Sequence, residues 1–282
     1  MSELEAMVEI AREASAEVAR HYQRHRESGI EVTMKGPGDP VTVADEVANR
    51  MICEALRRAF PDCGVVAEES APGDVSSLRA ALKPSRVFFV DPVDGTKEFL
   101  DENGQFCVMI GLVIDGRLRA GVVAAPARDC IYGGQVGKGA WIERDGQRDP
   151  VHVSTRRTFG EATLLVSRSH LPPIVEPLRK RLGIGHLKPH GSAGLKSVGV
   201  ANGEADLYVH DGPGMKLWDV CAPDAIVTAA GGRLSDLAGQ PFDYVQHEAK
   251  LPGLELRNGL CASNGILHAG VLSAVDWARR RG

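Results

Sequence analysis

The sequence lacks a strong charge excess, a long apolar run and a secretory leader. Its 282 residues carry a formal net charge of −4 without a long basic run, so neither a nucleic-acid polymer nor an anionic membrane is indicated as a partner. No apolar run approaches the roughly 20 residues that cross a bilayer, and the first residues lack the basic and apolar regions of a signal peptide. These absences predict a cytoplasmic protein that binds neither nucleic acid nor membrane.

Paired cysteines are also missing. The six cysteines form no C-x-x-C pair, which argues against a zinc site or a disulfide framework. They lie in or beside apolar segments, as small buried hydrophobic side chains do, so we expect reduced thiols. These residues are Cys53, Cys63, Cys107, Cys130, Cys221 and Cys261.

The hydrophobic pattern predicts a chain that alternates between helices and strands. Hydrophobic residues make up 43% and charged residues 25% of the sequence, as in ordinary globular proteins. Helical spacing and short apolar runs bounded by turn residues separate the two kinds of element. Helices are predicted at 4–22, 45–60, 173–182, 193–201, 217–230 and 266–280, and strands at 65–67, 86–90, 106–114, 118–125, 131–132, 140–142, 163–167, 206–209 and 260–262.

This order of elements predicts a layered α/β or α+β protein in which helices cover the faces of mixed sheets. The charged, turn-rich stretch 143–149 is the expected boundary region. We therefore predict an N-terminal half, residues 1–155, and a C-terminal half, residues 156–282, that together form one catalytic unit.

The run Asp-Pro-Val-Asp-Gly-Thr at 91–96 is the most informative motif. It follows the apolar residues 87–90, so two carboxylates stand at the end of a predicted buried strand. Magnesium prefers carboxylate and other oxygen ligands, and the backbone N–H groups of Gly95 and Thr96 could hold an anion if a helix begins there. These six residues alone fit a magnesium site facing a phosphate and an ordinary solvated Asp-Pro/Asp-Gly turn equally well.

Three other acids share a similar context. Glu68 follows a predicted strand, whereas Asp45 and Asp219 lie near helix starts. Acids at strand ends and helix starts can converge on one crevice, where α/β proteins commonly bind ligands. Each of them alone also fits an ordinary role, as a charge that complements a helix dipole or as part of a solvated loop.

Taken together, three motifs resemble the inositol monophosphatase superfamily of magnesium-dependent, lithium-sensitive phosphatases. They are the run at 91–96, Glu-Glu-Ser at 68–70 and Leu-Trp-Asp at 217–219, and the resemblance extends from about residue 41 to 244. It implies an α+β fold, the layered α-β-α-β-α sandwich of that superfamily. Within it, Lys97-Glu98, Ser-Arg-Ser-His at 167–170 and the Gly-rich segment 191–196 are similar to the 3′(2′),5′-bisphosphate nucleotidase branch, although Leu195 stands where some relatives have a polar residue.

The resemblance also implies roles for individual residues. Two or three Mg²⁺ ions would be held by Glu68, Asp91, the backbone carbonyl of Val93, Asp94 and Asp219. The catalytic residues would be Asp45, Glu68 and Thr96: Thr96 would orient the attacking water, and Asp45 would accept a hydrogen bond from its hydroxyl or help to hold a further metal. Thr96 could also serve as a helix N-cap. Substrate contacts are expected from Gly95, Thr96, Ser167, His170, Ser192, Lys196 and Asp219.

The function implied by the resemblance is hydrolysis of the 3′-phosphate of adenosine 3′,5′-bisphosphate to AMP and phosphate. In-line attack of water on the phosphate would expel AMP. The substrate, adenosine 3′,5′-bisphosphate, would be a by-product of sulfate activation. A monomer is favoured over a homodimer. The alternatives are an inositol monophosphatase or inositol polyphosphate 1-phosphatase with the same metal core, and a non-catalytic regulator that binds phosphate or metal on this fold.

Overall fold

The computed structural model describes residues 2–36, 39–168, 171–245 and 254–280. In these ranges, the helices are α1 (Glu3–Ser28), α2 (Val43–Ala59), α3 (Val75–Leu82), α4 (Thr96–Leu100), α5 (Val175–Leu182), α6 (Ala193–Ala201), α7 (Leu217–Ala229) and α8 (His268–Arg279). None of them is both long and apolar enough to span a bilayer.

The strands of the described ranges form two mixed sheets and a hairpin. The large sheet has seven strands in the order β3 (Gly64–Ala67), β4 (Arg86–Asp94), β5 (Cys107–Ile114), β6 (Arg117–Ala125), β7 (Cys130–Gln135), β8 (Gly139–Arg144) and β9 (Gln147–Val151). The small sheet has five, in the order β11 (His186–His190), β10 (Thr163–Ser167), β12 (Leu207–His210), β14 (Leu260–Ser263) and β13 (Arg233–Ser235). The hairpin consists of β1 (Val32–Gly36) and β2 (Asp39–Thr42).

Alternation along the strands distributes the core over both faces of the large sheet. On β4, Phe88 and Val90 pack with α1 and α2, whereas Val87 and Phe89 point to the opposite face and pack with α6 and α7, as the two-residue period of a strand requires. The small sheet lies on the far side of α6 and α7, and its outer face packs against α5 and α8. The layers are therefore helix, sheet, helix, sheet, helix, and the predicted α-β-α-β-α sandwich is confirmed.

Most predicted elements are present, with informative differences. Helix α1 continues to Ser28, six residues beyond its predicted end, and β4 continues through Asp94, four residues beyond its predicted end. The stretch 143–149 comprises the end of β8, a two-residue turn and the start of β9, and so lies inside the large sheet. The large sheet ends at Val151 and the small sheet begins at Thr163, and the division at residue 155 stays a prediction.

Candidate metal centre

The end of β4 supplies the first two acids of the site. The register between β4 and β5 shifts between Asp91 and Asp94, so both side chains leave a regular ladder at this point. The N–H of Val93 donates to Asp91 Oδ1 at 3.0 Å, which fixes the turn. Gly95 has a φ of +98°, a left-handed conformation that favours glycine, and it turns the chain directly into α4.

Helix α7 brings a third acid to the same place. The ligand oxygens of Asp91, Asp94 and Asp219 all lie within 4.8 Å of one another. Asp219 belongs to the first turn of α7 and accepts the N–H of Lys216 at 2.5 Å. Burial, together with the neighbouring carboxylates, raises the pKa of Asp91 and of Asp219 well above the ordinary value, because like charges repel strongly where water is excluded.

This donor set fits a divalent cation that prefers oxygen. Three carboxylates, with no nitrogen or sulfur ligand in the cluster, suit Mg²⁺, Mn²⁺ or Ca²⁺ rather than Zn²⁺. A bound cation would offset both causes of the raised pKa values of Asp91 and Asp219, the burial of the carboxylates and their mutual repulsion. The structure thus brings three of the predicted ligands together, and their coordination of metal stays a prediction.

Glu68 lies beside this cluster but has a cationic partner. It follows β3, in a short 3-10 helix at 68–70. Lys35 Nζ, from β1, lies 2.8 Å from Glu68 Oε1 and 2.7 Å from Glu69 Oε1. Burial raises the pKa of Glu68, and Lys35 opposes that shift. Lys35 was not anticipated from the sequence, because it belongs to no motif and reaches Glu68 only through the fold.

Asp45 and Thr96 are in contact with each other next to the cluster, and their catalytic roles stay a prediction. Thr96 Oγ1 lies 3.1 Å from Asp45 Oδ1 and 3.2 Å from the carbonyl oxygen of Val93. Asp45 also accepts from the N–H and the hydroxyl of Thr42, and burial raises its pKa to about 6. Thr96 is the first residue of α4, and the N-cap position belongs to Gly95, so the alternative role of Thr96 as an N-cap is wrong.

The opposite wall of the cleft comes from the C-terminal half. This wall carries Ser167, Ser192 and Lys196. The same cleft is also lined by Asp94, Gly95 and Asp219. Ser192 Oγ donates to Asp94 Oδ2, so the predicted substrate loop touches a predicted metal ligand. His170 lies outside the described residues.

Lys196 is held inside its own loop. Its side chain is 4% exposed, and Nζ donates to the carbonyl oxygen of Ser192 at 2.7 Å. The ammonium also lies 5.0 Å from the centre of the Tyr208 ring. Burial lowers the pKa of Lys196 to about 8, and the carboxylates of Asp94 and Glu98 oppose that shift. Among the described residues, no carboxylate lies in direct contact with this cation at the cleft.

The fold and the site define an α+β protein in which a cluster of carboxylates, suited to divalent cations, faces a polar cleft. The chain belongs to the inositol monophosphatase family, whose sequence model matches residues 1–276. It is 35% identical over 254 residues to the 3′(2′),5′-bisphosphate nucleotidase CysQ of Escherichia coli K12, a match that covers 90% of this chain and 98% of that protein. It is 30% identical to the 3′(2′),5′-bisphosphate nucleotidase 1 of Dictyostelium discoideum, with 90% of each chain covered.

Solved structures give the same family. An IMPase of Thermotoga maritima superposes with a TM-score of 0.80 at 25% identity, covering 99% of each chain. The extragenic suppressor protein SuhB of Bartonella henselae superposes with a TM-score of 0.79 at 27% identity, covering 96% of this chain and 97% of that one. The fold of this chain is therefore the fold of these two solved structures.

Proposed function

We propose that this protein is a magnesium-dependent phosphomonoesterase that hydrolyses the 3′-phosphate of adenosine 3′,5′-bisphosphate to AMP and phosphate. The observation that carries the proposal is the position of Asp94, which belongs to the acidic cluster and accepts hydrogen bonds from Ser192 and Gly194 of the opposite wall. Cation site and substrate loop are thus joined through one side chain. The relatives in Escherichia coli and Dictyostelium discoideum carry the name of this activity.

The acids assigned to metal are Glu68, Asp91, Asp94 and Asp219, with the carbonyl of Val93. Two or three Mg²⁺ ions bound there would neutralise phosphate charge and make a water molecule a better nucleophile. To bind metal, Glu68 would have to give up its contact with Lys35. The carbonyl of Val93 would likewise have to give up its contact with Thr96.

The protein's own groups would orient the nucleophile. The Thr96 hydroxyl, which bonds to Asp45, can accept a proton from water and pass its own to the buried carboxylate. A pKa of about 6 for Asp45 lies close to neutral pH, where a group that takes up and releases a proton works best. Gly95 and Thr96 would offer backbone N–H groups to the phosphate oxygens. The reaction is then one of positioning and charge stabilisation.

The nucleotide would extend along the second wall. Ser167, His170 and Ser192 would donate to sugar or phosphate oxygens, and Asp219 would meet the scissile end of the substrate. Lys196 would pair with the second, non-scissile phosphate, since an ammonium is a compact point charge suited to that role. A substrate with one phosphate, such as inositol 1-phosphate, would leave this cation without a phosphate to pair with.

Phosphate release tests the proposal directly. The protein should release phosphate from adenosine 3′,5′-bisphosphate in Mg²⁺ and not in EDTA, and much more slowly from inositol 1-phosphate. Asp94→Asn should fold and release none. Faster release from inositol 1-phosphate would favour the inositol phosphatase alternative, and binding of Mg²⁺ without turnover of either ester would favour the regulator. Light scattering would test the monomer that we also propose.

A further inference from the structure

Ser192, the residue that joins the two walls of the cleft, has an unusual backbone. Its φ is +58° and its ψ is 133°, a combination that residues with a side chain rarely adopt. The conformation has a clear consequence, because Ser192 Oγ both accepts the N–H of Leu195 at 3.0 Å and donates to Asp94. A strained backbone of this kind persists only where the surroundings fix it.

The preceding residue, Gly191, is fixed on three sides. Its N–H donates to Gln105 Oε1 at 2.6 Å, and its carbonyl oxygen accepts from His190 Nδ1 at 2.7 Å. A Cβ atom at Gly191 would lie 2.2 Å from Glu98 Cγ, so a side chain does not fit there. The peptide groups on both sides of Gly191 are therefore anchored by side chains from outside the loop or next to it.

Those anchors connect the substrate loop to the large sheet. Because His190 Nδ1 donates to the Gly191 carbonyl, its Nε2 is an acceptor, and Arg128 Nη2 lies 2.5 Å from it. His190 is 8% exposed, and burial lowers its pKa, in keeping with a neutral ring. Arg128 is the last residue of the 3-10 turn Pro126–Arg128 that connects β6 to β7, whereas His190 is the last residue of β11, so this contact joins the large sheet to the small one.

Gln105 makes a second connection, to the metal loop. Its side chain accepts from Gly191, and its backbone carbonyl lies 3.0 Å from the position that a Cβ atom would take at Gly95. Gly95 itself separates Asp94 from Thr96. Gln105 thus lies between the turn that carries the acids and the turn that carries Ser192.

We propose that Gln105 and His190, together with Arg128, which contacts His190, are positioning residues. They hold the Gly191–Ser192 turn so that Ser192 remains hydrogen-bonded to Asp94. None of the three belongs to the acidic cluster, and each acts through the turn. The clamp, as we name these three residues, would set the orientation of Asp94 and with it the affinity for Mg²⁺ and substrate. A test of the clamp by turnover depends on the proposed function, whereas a test by Mg²⁺ binding does not.

Two pairs of variants test the clamp. His190→Phe keeps the ring volume and removes both hydrogen bonds, and Gln105→Met keeps the length and removes the acceptor. Each should weaken Mg²⁺ binding in calorimetry without substrate by about tenfold and raise KM by a similar factor, with a smaller change in kcat. This is the effect of losing the one hydrogen bond that each side chain makes to Gly191. His190→Asn, whose amide can replace the Nδ1 donor, should restore most of the Mg²⁺ affinity. Arg128→Met, at an exposed position, should give a weaker version of the His190→Phe result.

A purely structural role predicts another pattern. If His190→Phe and Gln105→Met melt at a lower temperature but keep wild-type Mg²⁺ affinity and KM, the clamp is overturned. If His190→Phe does not fold, Gln105→Met and Arg128→Met decide the matter by the same measurements. If the wild-type protein releases no phosphate from adenosine 3′,5′-bisphosphate, the proposed function fails, and the Mg²⁺ titrations still decide for or against the clamp.

Discussion

Neutralising Asp219 should stabilise the metal-free protein and remove its response to metal. The ligand oxygens of Asp91, Asp94 and Asp219 lie within 4.8 Å of one another. At an effective dielectric constant of about 20, two unit charges at this distance repel by about 3 kcal/mol. Protonation relieves part of this, since burial and the neighbouring acids raise the pKa of Asp91 and Asp219. We therefore expect Asp219→Asn to add about 2 kcal/mol to the free energy of unfolding near pH 8 without metal.

Thermal unfolding in EDTA and in excess Mg²⁺ measures both effects. The asparagine retains an oxygen for the Lys216 N–H, so the start of α7 stays capped. A gain of about 2 kcal/mol raises the melting temperature by roughly 4–8 °C. The wild-type protein should gain about 2.7 kcal/mol at a Mg²⁺ concentration of 100 times Kd, and the variant far less. Asp62→Asn, in an exposed turn, is the matched control and should change neither value. A variant that melts below wild type in EDTA, or that keeps the full response to Mg²⁺, would refute this electrostatic account.

Three further variants test other parts of the site and fold. Thr96→Val should lower kcat about a hundredfold with little change in calorimetric Mg²⁺ affinity, and Thr96→Ser should retain activity; equal rates for the two would exclude a role for the hydroxyl. Gly194→Ala places a Cβ atom 2.4 Å from Met109 Sδ and should cost about 1–3 kcal/mol in denaturant unfolding, whereas Gly73→Ala, with open space around it, should not. Burial raises the pKa of Asp224 to about 7, so between about pH 4 and 7 the folded state holds a proton that the unfolded state has released, and stability falls as pH rises. Asp224→Asn should flatten that fall by on the order of 4 kcal/mol, and an unchanged slope in denaturant unfolding across pH would contradict the assignment.

The order of elements could be predicted because it depends on local patterns. The helical period of apolar residues predicted α6 at its observed bounds. The acids that end β4 were conspicuous because charged residues are rarely buried unless they are paired. The approach of Asp219 to Asp91 was inferred from a resemblance, since no spacing along the chain brings residues this far apart together.

Contacts without a motif could not be found in this way. Lys35 and Gln105 have ordinary neighbours in the sequence, and each gains its partner only when distant segments pack: Lys35 meets Glu68, and Gln105 meets Gly191. The start of α4 was considered only as a condition for anion binding at Gly95 and Thr96, and the helix itself was not predicted, because five residues show too little of a 3.6-residue period.

One sequence signal for the position of Asp219 was nevertheless present in the strands. Gly111 and Gly121 stand directly opposite each other on β5 and β6, and a glycine inside a strand often marks the close approach of another backbone. Here that backbone is α7: a Cβ atom at Gly111 would lie 2.7 Å from the Ala222 nitrogen, and one at Gly121 would lie 2.2 Å from the Ala222 oxygen. Ala222 is about one helical turn beyond Asp219. The two glycines therefore let α7 lie directly on the large sheet, and this close packing is what brings a carboxylate from the C-terminal half within reach of the two acids of β4.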